Sequence, residues 1–385
     1  MVMQIRPASL VKTAIAVQYF LYFAVMAIWL PYFNLYCHNI GFSKFQIGLL
    51  AATKSIAIVI FTLFWSRLAD RLRLRRPIYI GCNIVSAAAW TLYLYTIDFA
   101  QIFLITIFYG IFFAPIIAFL EAYSMEVLGE DRTNYGRIRV WGSISFITIV
   151  ILVGRGIDLY SVKLILFLVL FGSILQSLFA FGVPARDKTQ TSPLAAAYGM
   201  LLGRRFILFL GGAFLMLVSH GAYYGFFSIH LESLGFGKTF IGITWATASA
   251  AEILTMVFSK KIFLRFTPEM VLGFCFPAAA LRWVLLGLVQ TPVLILSTQL
   301  LHAITYGAFH IASILYVDKL TPAGHKATGQ GLNNAVTYGL GLMVGFLTSG
   351  IIYAKGGALP LFVTSGLVAL AGWVIFTISR VPDNT

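Results

Sequence analysis

Five ionisable residues lie inside long apolar stretches of the sequence, where charged side chains are rare. They are Lys54, Glu121, Arg139, Glu252 and Arg282. An ionised side chain in an apolar medium is destabilised by several kcal/mol unless it is paired or reached by water. Each of the five is therefore a candidate functional group.

Four of these residues are spaced so that neighbouring helices can pair them. Glu121 and Arg139 are 18 residues apart, and their midpoint falls in a predicted turn at residues 129–131. Two helices that leave one turn reach equal height after equal numbers of residues, here roughly 13 Å from the turn. Glu252 and Arg282 repeat the arrangement, 30 residues apart around residue 267. Both spacings predict ion pairs, although a chance pairing of helix-end charges also explains the first.

The fifth residue, Lys54, lies about ten residues into its apolar stretch, at the middle of a hydrocarbon layer about 30 Å thick. Lys54, Arg139 and Arg282 together exceed the two glutamates by one positive charge. We therefore expect an anionic ligand, and a carboxylate suits both bidentate arginine and lysine. Pairing of Lys54 with a distant glutamate is the alternative.

Polar and aromatic residues recur at spacings of three, four and seven, which places each set on one helix face. The sets are Gln18, Tyr22 and Trp29; His220, Tyr223, Tyr224 and Phe227; Gln299, His302 and Tyr306; and Gln330, Asn333, Asn334, Thr337 and Tyr338. Around a common centre they would line an amphipathic pocket able to hold a ring. Aromatic packing between helices explains any single set equally well.

The composition identifies the elements that must position these residues. The chain of 385 residues is 60% hydrophobic and 10% charged, whereas a water-facing surface usually needs about 25% charged residues. This excludes a soluble enzyme and predicts an all-α membrane protein with twelve transmembrane helices. The predicted spans are residues 12–37, 44–66, 77–96, 100–126, 136–154, 160–183, 205–230, 239–260, 269–290, 292–317, 328–354 and 357–380.

Lysine and arginine are concentrated on one side of the predicted membrane. With the N-terminus inside, the cytoplasmic segments hold 19 of the 27, the opposite side 5 and the spans 3. By the positive-inside rule, both termini are expected in the cytoplasm of a bacterial inner membrane. The net charge of +14 then reflects topology, and no nucleic-acid partner is expected.

Several other classes of protein lack support in the sequence. Cys37, Cys82 and Cys275 have neither metal-ligand spacing nor the count of a disulfide framework, so no metal site is predicted. The spans contain no paired aspartates and no nucleophile with a base, as an intramembrane enzyme would need. The apolar run at residues 14–37 is too long for a signal peptide and is expected to remain as the first helix.

The chain contains an internal repeat. Residues 41–55, GFSKFQIGLLAATKS, and 235–249, GFGKTFIGITWATAS, share 8 of 15 positions at an offset of 194. An offset of six helices preserves orientation, so two parallel, pseudo-symmetric six-helix bundles are predicted. We place them at residues 1–183 and 205–385, joined by a cytoplasmic central loop at residues 184–204.

The connection at residues 66–76, SRLADRLRLRR, resembles the loop signature of the major facilitator superfamily of secondary transporters. That signature reads Gly-x-x-x-Asp-Arg-x-Gly-Arg-Arg; Asp70 and Arg71 are in register, and both glycines are replaced. The resemblance implies the fold of that superfamily, and a gating role for Asp70 and Arg71 at the cytoplasmic ends of the bundles. An ordinary basic loop is the alternative.

Residues 135–143, YGRIRVWGS, are similar to the start of helix five in one branch of that superfamily, the lactose permease and 3-phenylpropionate transporter group of proton symporters. The similarity implies that Arg139 binds substrate and pairs with Glu121. Residues 220–226, HGAYYGF, resemble the phenylpropionate members most.

The same branch resemblance extends to the second bundle. It implies that Glu252 bonds substrate and couples to protonation, and that Arg282 is the arginine of helix nine. It also aligns His302 with the histidine of helix ten.

Two positions depart from lactose permease. Thr305 replaces a carboxylate that releases the proton there, and Phe146 replaces the tryptophan on which the sugar stacks. A disaccharide substrate is therefore not expected, and the proton must be carried elsewhere. A carboxylate in a low-dielectric cleft can hold a proton near neutral pH, and histidine titrates there. We expect Glu252 to carry the proton, with His302 or His220 as a relay.

The expected function is uptake of a small aromatic or amphipathic carboxylate, such as a phenylpropionate-like acid, by alternating access. The residues expected to bind it are Arg139, Glu121, Lys54, Phe146, Tyr223, Tyr224 and Asn334. The proton gradient is the expected driving force, without a cofactor, and the protein is expected to act as a monomer in the lipid bilayer. A sugar or nucleoside symporter, proton-driven efflux and a non-transporting sensor are the alternatives.

Overall fold

The structure is a computed structural model that describes residues 8–129, 135–183, 203–322 and 325–380. In these residues the twelve predicted spans coincide with twelve helices, which confirms the predicted fold class. The helices are α1 (Ala8–Asn39), α2 (Lys44–Leu72), α3 (Arg75–Leu94), α4 (Phe99–Leu128), α5 (Tyr135–Leu159), α6 (Leu164–Ala180), α7 (Arg204–Ser233), α8 (Lys238–Arg265), α9 (Pro268–Leu288), α10 (Pro292–Leu320), α11 (Thr328–Gly356) and α12 (Ala358–Ser379). Eleven are long and apolar enough to cross a membrane, and α6, with 17 residues, is shorter.

Two helices extend well beyond the predicted apolar spans. Helix α2 continues to Leu72 and α8 to Arg265, several residues past the predicted ends at 66 and 260. Hydropathy marks the part of a helix that lies in lipid, whereas backbone hydrogen bonding continues through polar turns. The predicted gating residues Asp70 and Arg71 consequently lie in the last turn of α2 rather than in a loop.

Two helices contain π-helical turns, at Ala303–Ala308 in α10 and at Asn334–Gly341 in α11. Such turns are rare and occur frequently at functional sites. Hydroxyls from other helices stabilise both: Thr255 donates to the Ala303 carbonyl at 3.0 Å, and Ser55 donates to the Gly339 carbonyl at 3.1 Å. Neither turn was predicted from the sequence.

The chain forms two compact units. Unit 1 comprises residues 1–40, 57–191 and 237–242, and unit 2 comprises residues 41–56, 192–236 and 243–385. The chain therefore passes from one unit to the other inside α2 and inside α8. The predicted bundle boundaries stay a prediction, and the predicted central loop lies outside the described residues as far as residue 202.

Within unit 1, polar side chains bond each other across the apolar interior. The Tyr79 hydroxyl donates to Gln18 Oε1 at 2.8 Å, and Gln18 Nε2 donates to the Gln176 carbonyl at 2.9 Å. Tyr22 stacks on Phe113 with ring centroids 5.5 Å apart. In the first predicted set, Gln18 and Tyr22 thus make packing contacts, which was the alternative reading of that set.

The internal repeat recurs in the geometry of the two helix starts. Gly41 and Gly235 precede α2 and α8 with φ of +95° and +85°, a conformation that L side chains rarely adopt. Seven residues later, Gly48 and Gly242 each face a backbone carbonyl of their own unit. A Cβ at Gly48 would lie 2.6 Å from the Phe346 oxygen. The repeated glycines therefore turn the chain and then permit close helix packing.

Replacing Gly48 with alanine should destabilise the protein by about 1–3 kcal/mol, because the new methyl group has no room beside a backbone oxygen. Gly81→Ala is the matched control, since a Cβ there meets no neighbouring group within 4 Å among the described residues. The measurement is the melting temperature of the detergent-purified protein. Equal melting temperatures for the two variants would contradict the close packing at Gly48.

Candidate functional site

The fully buried guanidinium of Arg282 lies at the centre of the candidate site in unit 2. Arg282 is 0% exposed on α9 and donates four hydrogen bonds to α10. The acceptors are His302 Nδ1 at 2.6 Å, and Thr305 Oγ1, Gln299 Oε1 and the Thr298 carbonyl at 3.1 Å each. These acceptors lie at positions that follow one face of α10, so a single charged group fixes that face against α9.

The partners of His302 determine which of its ring nitrogens carries the hydrogen. An arginine nitrogen can only donate, so His302 Nδ1 must accept the bond from Arg282. The hydrogen is then on Nε2, which lies 2.7 Å from Glu252 Oε1. A neutral His302 therefore bridges the carboxylate of Glu252 and the guanidinium of Arg282.

The structure brings together Glu252, Arg282 and His302, which are three of the four residues that were expected to couple protons; the fourth, His220, has its ring centroid 6.3 Å from that of His302. The expected pairing of Glu252 with Arg282 has His302 between the two charges. Thr305, noted as the neutral replacement of a carboxylate, supplies an acceptor to Arg282. Glu252 is 23% exposed, whereas His302 is 2% exposed, so the carboxylate is the accessible end of the chain of bonds.

Aromatic rings surround this chain of bonds and form what we call the aromatic cluster. Its members are His220, Tyr223, Tyr224, Trp245, Trp283, His302 and Tyr306. Tyr223 packs 5.0 Å from Trp245, and its ring lies 4.4 Å from the Arg282 guanidinium. Tyr224 and Tyr306 are half-buried, and the other members are buried. The cluster thus combines ring faces with a buried cation.

Trp245 is a member of the aromatic cluster that was not predicted from the sequence. It lies in the repeated segment at the position equivalent to Ala51, where 245 minus 194 gives 51. A large ring at a position that is small in the other repeat is a signal that could have identified it.

A second group of rings continues along α10 from the aromatic cluster. Tyr306 stacks on His302 at 5.2 Å and on His310 at 6.2 Å, and His310 Nδ1 lies 2.6 Å from the Tyr338 hydroxyl. Asn334, expected to bind substrate, is exposed in the π-helical turn of α11. Of the predicted polar set on α11, Tyr338 therefore contacts His310 of α10, whereas Asn334 is exposed.

Lys54 belongs to unit 2 and is 3% exposed on α2. Its neighbour Ser55 is hydrogen-bonded to the π-helical turn of α11 through Gly339. The first part of α2 is thus attached to α11, and Lys54 is held within the same unit as Glu252 and Arg282.

The predicted substrate arginine belongs to unit 1. The Arg139 guanidinium lies 3.9 Å from the Phe23 ring centroid and 5.5 Å from that of Tyr19. Glu121 is exposed, and its ion pair with Arg139 stays a prediction. Phe146 is buried on α5. Arg139 is therefore a cation stacked on aromatic rings.

The predicted gating residue Asp70 is paired within unit 1. Its carboxylate lies 3.1 Å from Arg75, which is also 3.7 Å from Glu126. Arg71 is exposed. Arg75, at the start of α3, thus joins the end of α2 to α4 through these two carboxylates.

Comparisons with known proteins cover almost the whole chain. Residues 12–364 match the family described as "MFS_1 like family". The "Probable 3-phenylpropionic acid transporter" of Escherichia coli (strain K12) is 25% identical over 92% of this chain and 94% of that protein. The "Maltose permease" of Geobacillus stearothermophilus is 22% identical over 91% and 90%. A crystal structure of "nucleoside transporter NupG" has a TM-score of 0.87 at 19% identity, covering 97% of this chain and all of that chain.

Replacing Arg282 with methionine should destabilise the protein by about 3 kcal/mol or more, because it leaves Glu252 without its charged counterpart and buried acceptors without donors. Arg265→Met, at an exposed position, is the control. Thermal unfolding in detergent should show a large drop in melting temperature for the first variant only. A similar small effect of both substitutions would refute the structural role of Arg282.

Proposed function

The chain belongs to the MFS_1 like family and is a multi-pass membrane transporter rather than an enzyme, and from this premise we propose a specific activity. The protein imports a small aromatic or amphipathic carboxylate together with protons. It does so by alternating access, with the proton gradient as the driving force and without a cofactor.

The bonded series Glu252, His302 and Arg282 is the observation that carries this proposal. His302 accepts from Arg282 and donates to Glu252. A second proton on His302 would place an N–H against the donors of Arg282, so protonation there requires the bond to break. Glu252 is the accessible oxygen acceptor of the series and is the group that takes the proton.

Protonation of Glu252 then alters how α8, α9 and α10 are joined. The ionised carboxylate balances the charge of Arg282 through His302, whereas the neutral carboxyl does not. Coupling requires that the two forms favour different conformations of the transporter. An ionic series that joins three helices meets this requirement, because neutralising one end weakens the bonds that hold the helices together.

Aromatic rings and positively charged side chains support an aromatic carboxylate as the substrate. An aromatic cluster next to a buried arginine suits an aromatic ring, and Lys54 of the same unit is suited to bind the carboxylate of that ring as a point charge. For Arg139, in unit 1, binding of a carboxylate stays the expectation from the sequence. The name of the Escherichia coli relative supports the same class, at 25% identity.

A nucleoside is the second candidate substrate. The base of a nucleoside also stacks on aromatic rings, and the fold is very similar to that of a nucleoside transporter, with a TM-score of 0.87. A nucleoside carries no carboxylate and gives no reason for the excess of cations. The carboxylate is therefore preferred over the nucleoside, and over a sugar such as maltose.

The distribution of basic residues supports an orientation. The sequence predicts both termini in the cytoplasm of a bacterial inner membrane, and we propose this orientation with a monomer as the functional form.

Uptake into proteoliposomes tests the proposal. Vesicles with an imposed pH gradient, acidic outside, are supplied with labelled 3-phenylpropionate, uridine or maltose. Accumulation of 3-phenylpropionate that collapses with a protonophore is the expected result. Accumulation of uridine or maltose alone would replace the proposed substrate, gradient-driven expulsion would indicate efflux, and no flux of any compound would indicate a sensor.

Replacing Glu252 with glutamine should abolish uphill accumulation and leave exchange of labelled for unlabelled substrate, because glutamine imitates a permanently protonated carboxyl group. Asp98→Asn is the control: Asp98 accepts from the Gln101 backbone at the start of α4, and asparagine caps a helix equally well. Accumulation and exchange are measured in the same vesicles. Loss of both by Glu252→Gln would remove Glu252 from the coupling role.

Replacing Arg139 with lysine should raise the KM for the carboxylate about tenfold, because lysine keeps the charge but loses the bidentate geometry. Arg137→Lys, at an exposed position two residues earlier on α5, should leave KM unchanged. Initial uptake rates over a range of substrate concentrations give both values. An unchanged KM for Arg139→Lys would exclude bidentate binding by Arg139.

A further inference from the structure

His220 on α7 holds its ring in one defined tautomer. The side chain is 0% exposed, and Nδ1 lies 2.8 Å from the Met216 carbonyl. A carbonyl only accepts, so Nδ1 carries the hydrogen and Nε2 presents a lone pair. His220 is thus an acceptor at Nε2 as long as the ring is neutral.

This acceptor is not used within the part of the chain that the structure describes. His220 Nε2 is buried and has no hydrogen-bond partner there. Buried polar atoms are nearly always bonded, because an unsatisfied one loses its interaction with water. His220 is fully buried, so a charged ring there would lose its interaction with water. A proton is therefore a poor partner for Nε2, whereas a hydrogen-bond donor is a good one.

Two nearby nitrogen donors are committed to other acceptors. The Trp283 ring packs edge-on against His220 at 4.9 Å, but its N–H donates to Ser219 at 3.1 Å. His302, at 6.3 Å, has both nitrogens occupied by Arg282 and Glu252. Neither the Trp283 N–H nor the His302 ring nitrogens are thus available to the His220 Nε2 acceptor.

Two tyrosines separate His220 from the accessible side of the cluster. Tyr306 lies 6.0 Å and Tyr224 lies 6.2 Å from the His220 ring, and the two tyrosine rings lie 6.0 Å from each other. Both are half-buried, so they are the rings that a ligand would meet first.

We propose that His220 Nε2 is a specificity-determining acceptor for a donor carried on the ring of the substrate. This inference rests on the proposed function and narrows its substrate class from an aromatic carboxylate to one with a ring hydroxyl. The hydroxyl replaces the missing partner of Nε2 when the substrate ring displaces Tyr224 and Tyr306. A site built around a buried acceptor discriminates strongly against an analogue that lacks the donor, because that analogue leaves the acceptor unpaired.

The experiment compares two acids that differ by one hydroxyl. Initial uptake of labelled 3-(4-hydroxyphenyl)propionate and 3-phenylpropionate is measured in proteoliposomes at saturating pH gradient. The quantity of interest is the ratio of kcat/KM values for the two acids. The wild-type protein should prefer the hydroxylated acid by about tenfold or more.

Three variants assign the preference to one nitrogen. His220→Phe keeps the ring and removes the acceptor, and should reduce the ratio to about one by lowering uptake of the hydroxylated acid. His220→Gln supplies an amide oxygen and should retain most of the preference. His230→Phe is the matched control, because His230 is a second buried histidine of α7 whose Nε2 contacts the Leu286 carbonyl at 3.3 Å; it should leave the ratio unchanged.

The outcomes separate this inference from the proposed function. Uptake of both acids at equal rates by the wild type, or a preference that persists in His220→Phe, would overturn the role of His220 and leave the proposed function standing. A preference that is lost equally in His230→Phe would also overturn it. Uptake of neither acid would overturn the proposed function itself. If His220→Phe does not fold, a wild-type ratio of about one still overturns the inference, and a preference retained in His220→Gln supports it.

Discussion

The burial of one positive charge, that of Arg282, is the constraint on which the second unit depends. A guanidinium without contact to water must find its hydrogen bonds inside the protein. It finds them on a single face of α10, at Thr298, Gln299, His302 and Thr305. Because the acceptors sit on one helix and the donor on another, α9 and α10 are held in one register. Any change in the charge balance around Arg282 therefore acts on the packing of two helices.

The π-helical turn of α10 begins immediately after His302. Its first carbonyl, that of Ala303, accepts from Thr255 of α8, and Thr255 lies three residues after Glu252. Helix α8 therefore contacts α10 at two places: the Glu252 carboxylate contacts His302, and the Thr255 hydroxyl donates to the π-helical turn. A carboxylate that changes its charge at this place acts beside the π-helical turn of α10, and such turns occur frequently at functional sites.

Hydropathy and composition were sufficient to predict the twelve helices, because a membrane-spanning helix is identified by its apolar length. They did not predict where helices end, since Asp70 continues α2 by hydrogen bonding that hydropathy does not measure. They identified Glu252 and Arg282 as exceptional residues, because each is costly in an apolar span, whereas His302 was identified by the spacing of polar residues on its helix and by the family resemblance. The position of His302 between the other two depends on side-chain rotamers and on helix packing, which residue spacing does not determine. The place of Trp245 in the aromatic cluster depends on its contact with Tyr223 of another helix, so it does not follow from spacing either.

His220 and His302 are both buried histidines of the same cluster, yet their chemistry is opposite. Arg282 forces Nδ1 of His302 to accept, whereas the Met216 carbonyl forces Nδ1 of His220 to donate. One ring consequently offers its N–H to Glu252, and the other leaves a lone pair without a partner among the described residues. From the sequence, the two residues are simply histidines on two helices. The atom opposite each Nδ1 decides that His302 connects Arg282 with Glu252, whereas His220 can accept a hydrogen bond from a ligand. That difference is a tertiary property, because in His302 it is set by a residue of another helix.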